Sequence, residues 1–351
     1  MKLVLFSPGL NIGGIERVFI NYANLLSDRS HDVFYLTCHE NGTFENLLSS
    51  KVKFCNLKTN DLKKSILPII KFLRHVKPDY IITANSATLI ILLSKWLSFS
   101  KVKIIASHHN YNNIDVQSYI DRKLIWHIYN QCHKVIAISD GIYELLTQHH
   151  VMDEKLVKIN NPVDFARIKS MSTSFVPFPS SAFDYILFVG RLSKVKNLQL
   201  LIRSFHVLRT NKSLKLVIIG DGPEYCQLKR LCKELGIEDS VIFVGAVENP
   251  YPYIKQAKII ALSSESEAYP TVLLESLVLG KTIVSTPTKG AVEILKNGEL
   301  GYLSDNFELN DYILTLEYAL SHPLAAEFLL HKAIESYSPE SIINQFEKII
   351  I

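Results

Sequence analysis

Short apolar runs recur along this chain with helix-period segments between them. In the first half they fall at residues 1–6, 32–37, 52–57, 80–83, 103–107 and 134–138, and hairpin turn signals between them are few. A strand that is apolar on both faces has to be covered on both faces. Crossover helices do this for a parallel sheet, so the pattern predicts an α/β chain. It restarts in the second half, with strands at 185–189, 214–219, 241–244, 258–262 and 282–285. Between the halves lie residues 169–183, rich in Ser and Pro (Pro177, Pro179, Ser180, Ser181) and without period, which marks a linker. A length of 351 residues gives each half a core of its own. Two such halves joined by one linker make a cleft, a usual place for a ligand.

Ligand sites in parallel sheets lie beyond the C-terminal ends of the strands, which directs attention to particular loops. The first, 7–14, holds Gly9, Gly13 and Gly14 and feeds a helix with Ile15, Val18, Phe19, Tyr22, Leu25 and Leu26 on one face. Strand, glycine loop and helix is an arrangement in which backbone N–H groups meet an anion. The spacing Gly9-Leu-Asn-Ile-Gly13 is not GxGxxG, and no acidic residue closes a plausible second strand, which argues against a dinucleotide-binding dehydrogenase. His108-His109-Asn110 follows the strand at 103–107. Histidines there can bind a sugar hydroxyl or polarise a leaving group, and the competing reading is half-buried imidazoles with no such role. His149-His150 sits in a polar helix end and receives no role.

In the second half, Gly190-Arg-Leu-Ser-Lys-Val-Lys-Asn197 is a basic loop after a strand, and the strand at 214–219 runs into Gly220-Asp-Gly-Pro223. Residues 263–280, Ser-Ser-Glu-Ser-Glu-Ala-Tyr-Pro-Thr-Val-Leu-Leu-Glu-Ser-Leu-Val-Leu-Gly, pass from a strand end through Pro270 into a helix that Gly280 ends. Glu267 lies in the loop and Glu275 about a turn inside the helix. A helix N-terminus suits a phosphate, and carboxylates accept from hydroxyls. The stretch therefore fits a ligand with a phosphate in its middle and hydroxyls at both ends, such as a nucleotide sugar. Acidic residues that merely stabilise the helix dipole are the alternative.

No window holds eighteen uninterrupted apolar residues; the longest candidate, 89–97, is broken by Ser94 and Lys95. The N-terminal run is too short for a signal peptide. Five scattered cysteines without a CxxC spacing suggest free thiols in a reducing cytoplasm, with neither zinc nor a disulfide framework. Residues 1–170 carry 21 Lys and Arg against 14 Asp and Glu, whereas residues 171–351 carry 17 against 20. The basic excess includes Lys63, Lys64, Lys71, Arg74 and Lys77, interleaved with apolar residues along a helix near 62–76. Such a helix either lies on an anionic membrane surface or is an ordinary solvated face.

With these residues in view, the chain resembles the retaining glycosyltransferases of family four, along nearly its whole length. Glu267-Ala-Tyr-Pro-Thr-Val-Leu-Leu-Glu275 looks like that family's Glu-x7-Glu motif. Gly13-Gly14-Ile15-Glu16-Arg17, Ser107-His108-His109-Asn110, Val189-Gly190-Arg191-Leu192 with Lys196-Asn197, Gly220-Asp-Gly-Pro223 and Gly298-Glu-Leu-Gly301 support it by their order and spacing.

The resemblance implies the GT-B architecture, two facing Rossmann-like domains with the donor site in the cleft. On it, 1–168 is an acceptor-side domain, 169–183 a linker and 184–335 a nucleotide-sugar-binding domain. Residues 336–351 form a helix packed back on the first domain. It further implies that Arg191 and Lys196 grip the donor diphosphate, Glu275 the ribose and Glu267 the donor sugar. Ala268, Tyr269, Pro270 and Thr271 lie between the two carboxylates in the same donor site. Gly13 and Gly14 bring N–H groups to phosphate and sugar, and His109 contacts the sugar or the reacting centre. One departure stands out: Ala268 occupies a position where the family usually has Gly, which bears on donor specificity.

The implied reaction is retaining transfer of a hexose-type sugar from a nucleotide, expected to be UDP, by front-face substitution. No cofactor or metal is expected: the chain has no Asp-x-Asp, and Arg191 and Lys196 supply the charge. Expected partners are the nucleotide-sugar donor, a glycan or lipid-linked acceptor in polysaccharide or lipopolysaccharide synthesis, and an anionic membrane, with no nucleic acid. The expected location is the cytoplasm, at the inner face of its membrane. Two rivals share the architecture: a nucleotide-sugar 2-epimerase, which needs no acceptor, and a non-catalytic nucleotide-sugar-binding subunit.

Overall fold

Strand pairing in the computed structural model is parallel throughout the described residues, which are 1–10, 13–38, 44–59, 61–111, 119–174, 183–209 and 214–350. The chain divides into two compact units, Met1–Pro162 with Pro339–Ile351, and Val163–Ser338.

The first unit is built on a seven-stranded sheet in the order β3-β2-β1-β4-β5-β6-β7. Its strands are β1 (Lys2–Ser7), β2 (Asp32–Thr37), β3 (Lys53–Asn56), β4 (Tyr80–Ala84), β5 (Lys103–His108), β6 (Lys134–Ala137) and β7 (Leu156–Lys158). Helices α1 (Gly14–Asp28), α2 (Ile66–Val76), α3 (Ala87–Ser98), α4 (Tyr119–Asn130) and α5 (Asp140–Gln148) make the crossovers. β4 is buried along its whole length, and β1 beyond its first residue, as central strands under helices on both faces require. β1 lies between β2 and β4, so the chain leaves it to build the sheet first one way and then the other. The crevice at such a reversal is where open α/β sheets hold ligands.

The second unit has six strands in the order β10-β9-β8-β11-β12-β13. They are β8 (Tyr185–Val189), β9 (Lys215–Ile219), β10 (Val241–Gly245), β11 (Ile259–Leu262), β12 (Ile283–Ser285) and β13 (Tyr302–Leu303). Its reversal point lies between β8 and β11. α7 (Leu198–Leu208) buries Leu198, Leu201, Ile202 and Phe205, the i, i+3, i+4, i+7 stripe of an amphipathic helix. α12 (Leu309–Ser321) answers it with Tyr312, Leu316 and Ala319 in the same core.

The boundaries differ from the sequence expectation at two places. Residues 336–338 stay with the second unit, and α6 (Phe165–Met171), which the sequence puts mostly in the first domain, belongs to the second unit as well. It is capped by Asp164, which accepts from the Arg167 N–H at 3.0 Å, and its end is tied by Asn249 donating to the Met171 carbonyl at 2.9 Å. Ile168 is its buried contact. Most of the expected linker, residues 175–182, lies outside the described residues.

At the other end, α14 (Pro339–Glu347) packs on α1. Phe346 meets the Tyr22 ring at 5.2 Å, and His31 Nε2 lies 3.0 Å from Glu347 Oε1. No described helix is long and apolar enough to cross a membrane.

Two loops of the second unit interlock in a way that depends on glycine. Gly220 has φ +138°, and a Cβ there would fall 1.8 Å from the Gly190 carbonyl oxygen. The approach lets Gly190 N–H donate to Ile219 and Leu192 N–H donate to Asp221, each at 2.9 Å. Gly220→Ala is expected to destabilise the fold by about 3 kcal/mol, read as a lower urea midpoint; an unchanged midpoint would contradict this packing.

Candidate functional site

β8 and β11 lie side by side, so the loops at their C-terminal ends become neighbours although some seventy residues separate them in sequence. After β8 the chain exposes Arg191, buries Leu192 in the core and winds one 3-10 turn, Lys194–Lys196. Asn197, at φ +44°, redirects it into α7. After β11 it runs through Ser263, Ser264 and Glu265 to Glu267.

The two loops are stitched by backbone and side chain. The Glu265 N–H donates to the Val195 carbonyl at 2.8 Å, and the Ser263 hydroxyl to the Lys196 carbonyl at 3.0 Å. Across this seam the Lys196 ammonium donates to Glu267 Oε1 at 2.5 Å. The Ser264 hydroxyl donates to the same oxygen at 2.6 Å. Ser264 is in turn held through its carbonyl, which accepts from the Thr286 hydroxyl at 2.5 Å.

Lys196 is 23% exposed and Glu267 9%, so a charged pair stands at the edge of solvent with its carboxylate nearly enclosed. Glu265, two residues before, is exposed.

Beyond Glu267, Ala268, Tyr269 and Pro270 are buried and lead to α10 (Thr271–Val278), whose N-terminus carries no side-chain cap. The first N–H groups of such a helix have no intrahelical partner, and they carry its positive dipole end. Glu275 is buried one turn in. Gly290, in α11 (Lys289–Ile294), donates its N–H to the Glu267 carbonyl at 3.0 Å. Its missing side chain leaves room for the Glu267–Ala268 backbone, 2.7 Å from where a Cβ would sit. Arg191, Lys196, Glu267, Thr271 and Glu275 are thus gathered at the C-terminal edge of one sheet. Ser264, Thr286 and Gly290 hold the carboxylate in place. Sequence reasoning had given these three no role.

In the first unit, Gly13 caps α1, and the Glu16 side chain folds back over it, with Oε2 2.2 Å from where a Gly13 Cβ would stand. Burial raises the Glu16 carboxyl above its ordinary value. His109 is enclosed, with Nε2 2.8 Å from the Ser107 hydroxyl and its ring edge-on to Phe19 at 6.2 Å. Its backbone N–H donates to Asn85 Oδ1 at 3.2 Å. His108 turns the other way, Nδ1 2.8 Å from the Tyr129 hydroxyl, beside Trp126. Trp126 in turn stacks on His149 at 4.3 Å, which gives His149 a packing role. Burial pushes His108 down to about 4 and His109, with His108 adding to the effect, to about 3. Both rings are therefore neutral at pH 7, and His109 acts as a hydrogen-bonding group and not a cation.

Two Rossmann-like units of this kind define the GT-B class of glycosyltransferase. A structure of Anabaena Alr3699/HepE in complex with UDP and glucose has the same fold, with a TM-score of 0.84 over 99% of this chain and 98% of that one at 18% identity. The profile described as Glycosyltransferase Family 4 matches residues 12–167, and that described as Glycosyl transferases group 1 matches 175–337. The chain belongs to the family-four glycosyltransferases.

Among relatives, a Campylobacter jejuni N-acetylgalactosamine-N,N'-diacetylbacillosaminyl-diphospho-undecaprenol 4-alpha-N-acetylgalactosaminyltransferase is 29% identical over 86% of this chain and 85% of its own. The lipopolysaccharide 1,6-galactosyltransferase of Salmonella typhimurium is 24% identical over 92% and 90%.

The buried histidines set a pH dependence. Their folded values lie below the ordinary imidazole value of 6.5, so the unfolded chain binds more protons between that value and about 4. Stability is held above pH 6.5 and lost as pH falls. Each ring is expected to cost on the order of 1 kcal/mol by pH 5.5. Urea unfolding at pH 7.5 and 5.5 checks this, and replacing both rings with Gln should flatten the slope; an unaltered slope would contradict it.

Proposed function

We propose that this glycosyltransferase moves a hexose-type sugar from a UDP-linked donor to a glycan or lipid-linked acceptor, with retention at the anomeric carbon. The observation that carries the reading is the juxtaposition of Lys196, Glu267 and Ser264 at the β8–β11 reversal point, with Arg191 in the same loop. A departing nucleoside diphosphate gains negative charge as the glycosidic bond breaks, and Lys196 with the exposed Arg191 of the same loop would be the cations that meet it. The uncapped start of α10 adds backbone donors. Glu267 accepts from hydroxyls of the donor sugar, and Glu275 from the ribose. Ala268, Tyr269, Pro270 and Thr271 wall the space between. In the first unit, Gly13 and Gly14 offer N–H groups to phosphate and sugar, and His109, as a neutral ring, bonds a sugar hydroxyl.

Retention follows from a front-face path. The bond from the anomeric carbon to the phosphate oxygen breaks, and the acceptor oxygen bonds the same face. The acceptor's proton passes to the departing phosphate oxygen, so no protein base is required. With Arg191 and Lys196 supplying charge, turnover needs no divalent metal and is expected to persist in a chelator.

The relatives act on lipid-linked and lipopolysaccharide acceptors by name, and the UDP complex of the structural neighbour supports a UDP donor. A peripheral place at the cytoplasmic face of a membrane suits such an acceptor.

The experiment is turnover of UDP-sugars with acceptor present or absent. Arg191→Ala and Lys196→Ala are each expected to lower kcat by roughly a hundred- to a thousandfold at an unchanged unfolding midpoint. Near-normal rates in both would overturn the phosphate assignment. Isomerised donor formed without acceptor would favour an epimerase, and stabilisation by UDP without turnover a binding subunit.

A further inference from the structure

Large apolar side chains stand exposed along one helix pair of the first unit. At the end of α3, Phe99 is 90% exposed, Leu97 57% and Trp96 53%, and Leu67 in the first turn of α2 is 70% exposed. The two helices pack side by side, and the Arg74 guanidinium of α2 donates to the Leu97 carbonyl at 3.4 Å, joining the sets.

Around them the charge is one-sided. Leu67, Lys71 and Arg74 fall at i, i+4 and i+7 on the exposed ridge of α2, and Lys63 and Lys64 are exposed in the 3-10 turn that leads into it. Over residues 62–114 the sole acidic side chain is Asp79. One of its oxygens accepts from the backbone N–H of Lys2 at 2.7 Å. The opposite face of α2, Ile69, Ile70 and Leu73, is spent on the core. Lys63, Leu67 and Lys71 stand outside that core.

Phe99 carries a second mark. It closes α3 at φ +55°, the left-handed conformation that glycine or asparagine adopts at low cost and a bulky ring does not. The backbone turn is repaid by the Phe99 N–H donating to the Trp96 carbonyl at 3.1 Å and the Ser100 N–H to the Lys95 carbonyl at 3.2 Å, but the ring itself is left in water.

We propose that this exposed side of the α2–α3 pair is a docking surface for an anionic lipid bilayer. Trp96, Leu97, Phe99 and Leu67 enter the headgroup–acyl boundary, and Lys63, Lys64, Lys71 and Arg74 pair with lipid phosphates around them. Tryptophan favours that depth, and each cation near an anionic surface strengthens binding by about fivefold. A protein partner would favour a rim of mixed sign, whereas this rim is basic. The surface deepens the lipid-linked acceptor reading and rests on it for its purpose, since it would bring the first unit to the layer that holds such an acceptor. Its physics is independent of the donor site.

The test is flotation of the full chain with phosphatidylcholine vesicles with or without phosphatidylglycerol, in the absence of donor, while tryptophan emission is followed. Trp126 is buried, so a blue shift on binding reports Trp96. Binding only to anionic vesicles, weakened by salt and accompanied by that shift, is expected. Trp96→Ser/Phe99→Ser should weaken it about tenfold, and Lys63→Gln/Lys71→Gln about 25-fold at low salt. Both pairs are solvent-exposed and should keep the wild-type unfolding midpoint. No flotation, salt-sensitive flotation without the emission shift, or a lipid-independent dimer lost in the Trp96/Phe99 variant would each overturn the proposal. None of these outcomes bears on UDP-sugar turnover, so the two readings fail separately.

Discussion

Lys196 and Glu267 meet at 2.5 Å because the strands before them, β8 and β11, are neighbours at the point where the sheet reverses its order. Neither group could be held there by local structure. Lys196 comes from a 3-10 turn a few residues beyond the Gly190–Gly220 contact, and Glu267 from a loop fixed to Lys196 and Val195 by Ser263 and Glu265. A lone carboxylate as enclosed as Glu267 would be costly; paired with an ammonium and a hydroxyl it is satisfied. The loops, the glycines that permit them and the buried serines all serve that pair.

On the proposed reaction the pair has a second meaning. Without donor, each group neutralises the other. A diphosphate offers Lys196 a better-matched anion, and sugar hydroxyls offer Glu267 donors in place of the ammonium. Ser264, still bonded to Oε1 and fixed through Thr286, keeps the carboxylate aimed while its partner changes.

Much of this was legible in the sequence, for physical reasons. Strands buried on both faces write themselves as apolar runs, and α7 buries the residues its periodicity marks. The loop positions follow from strand direction, so Arg191, Lys196 and Glu267 were in view. Other features were not. β7 is three residues long and has one fully buried side chain, too little to show a pattern. The side of the boundary taken by α6 is decided by Asn249 and Ile168, which meet partners remote in sequence. That Lys196 touches Glu267 is a tertiary fact, with no spacing to encode it. Ser264 and Thr286 look like ordinary loop residues until β11 and β12 pair. The depth to which His108 and His109 are buried is likewise set by Phe19, Tyr129 and Trp126, from helices far along the chain.

The most direct measurement of the central claim is calorimetric titration of UDP and of a UDP-sugar into the wild-type chain, Lys196→Ala and Glu267→Gln. If Lys196 holds the diphosphate and Glu267 the sugar, Lys196→Ala weakens both ligands. Glu267→Gln then weakens the UDP-sugar alone, and UDP binds it as well as or better than wild type, because the competing carboxylate charge is gone. Equal losses of UDP and UDP-sugar in Glu267→Gln, or unaltered UDP binding in Lys196→Ala, would contradict the assignment of the pair.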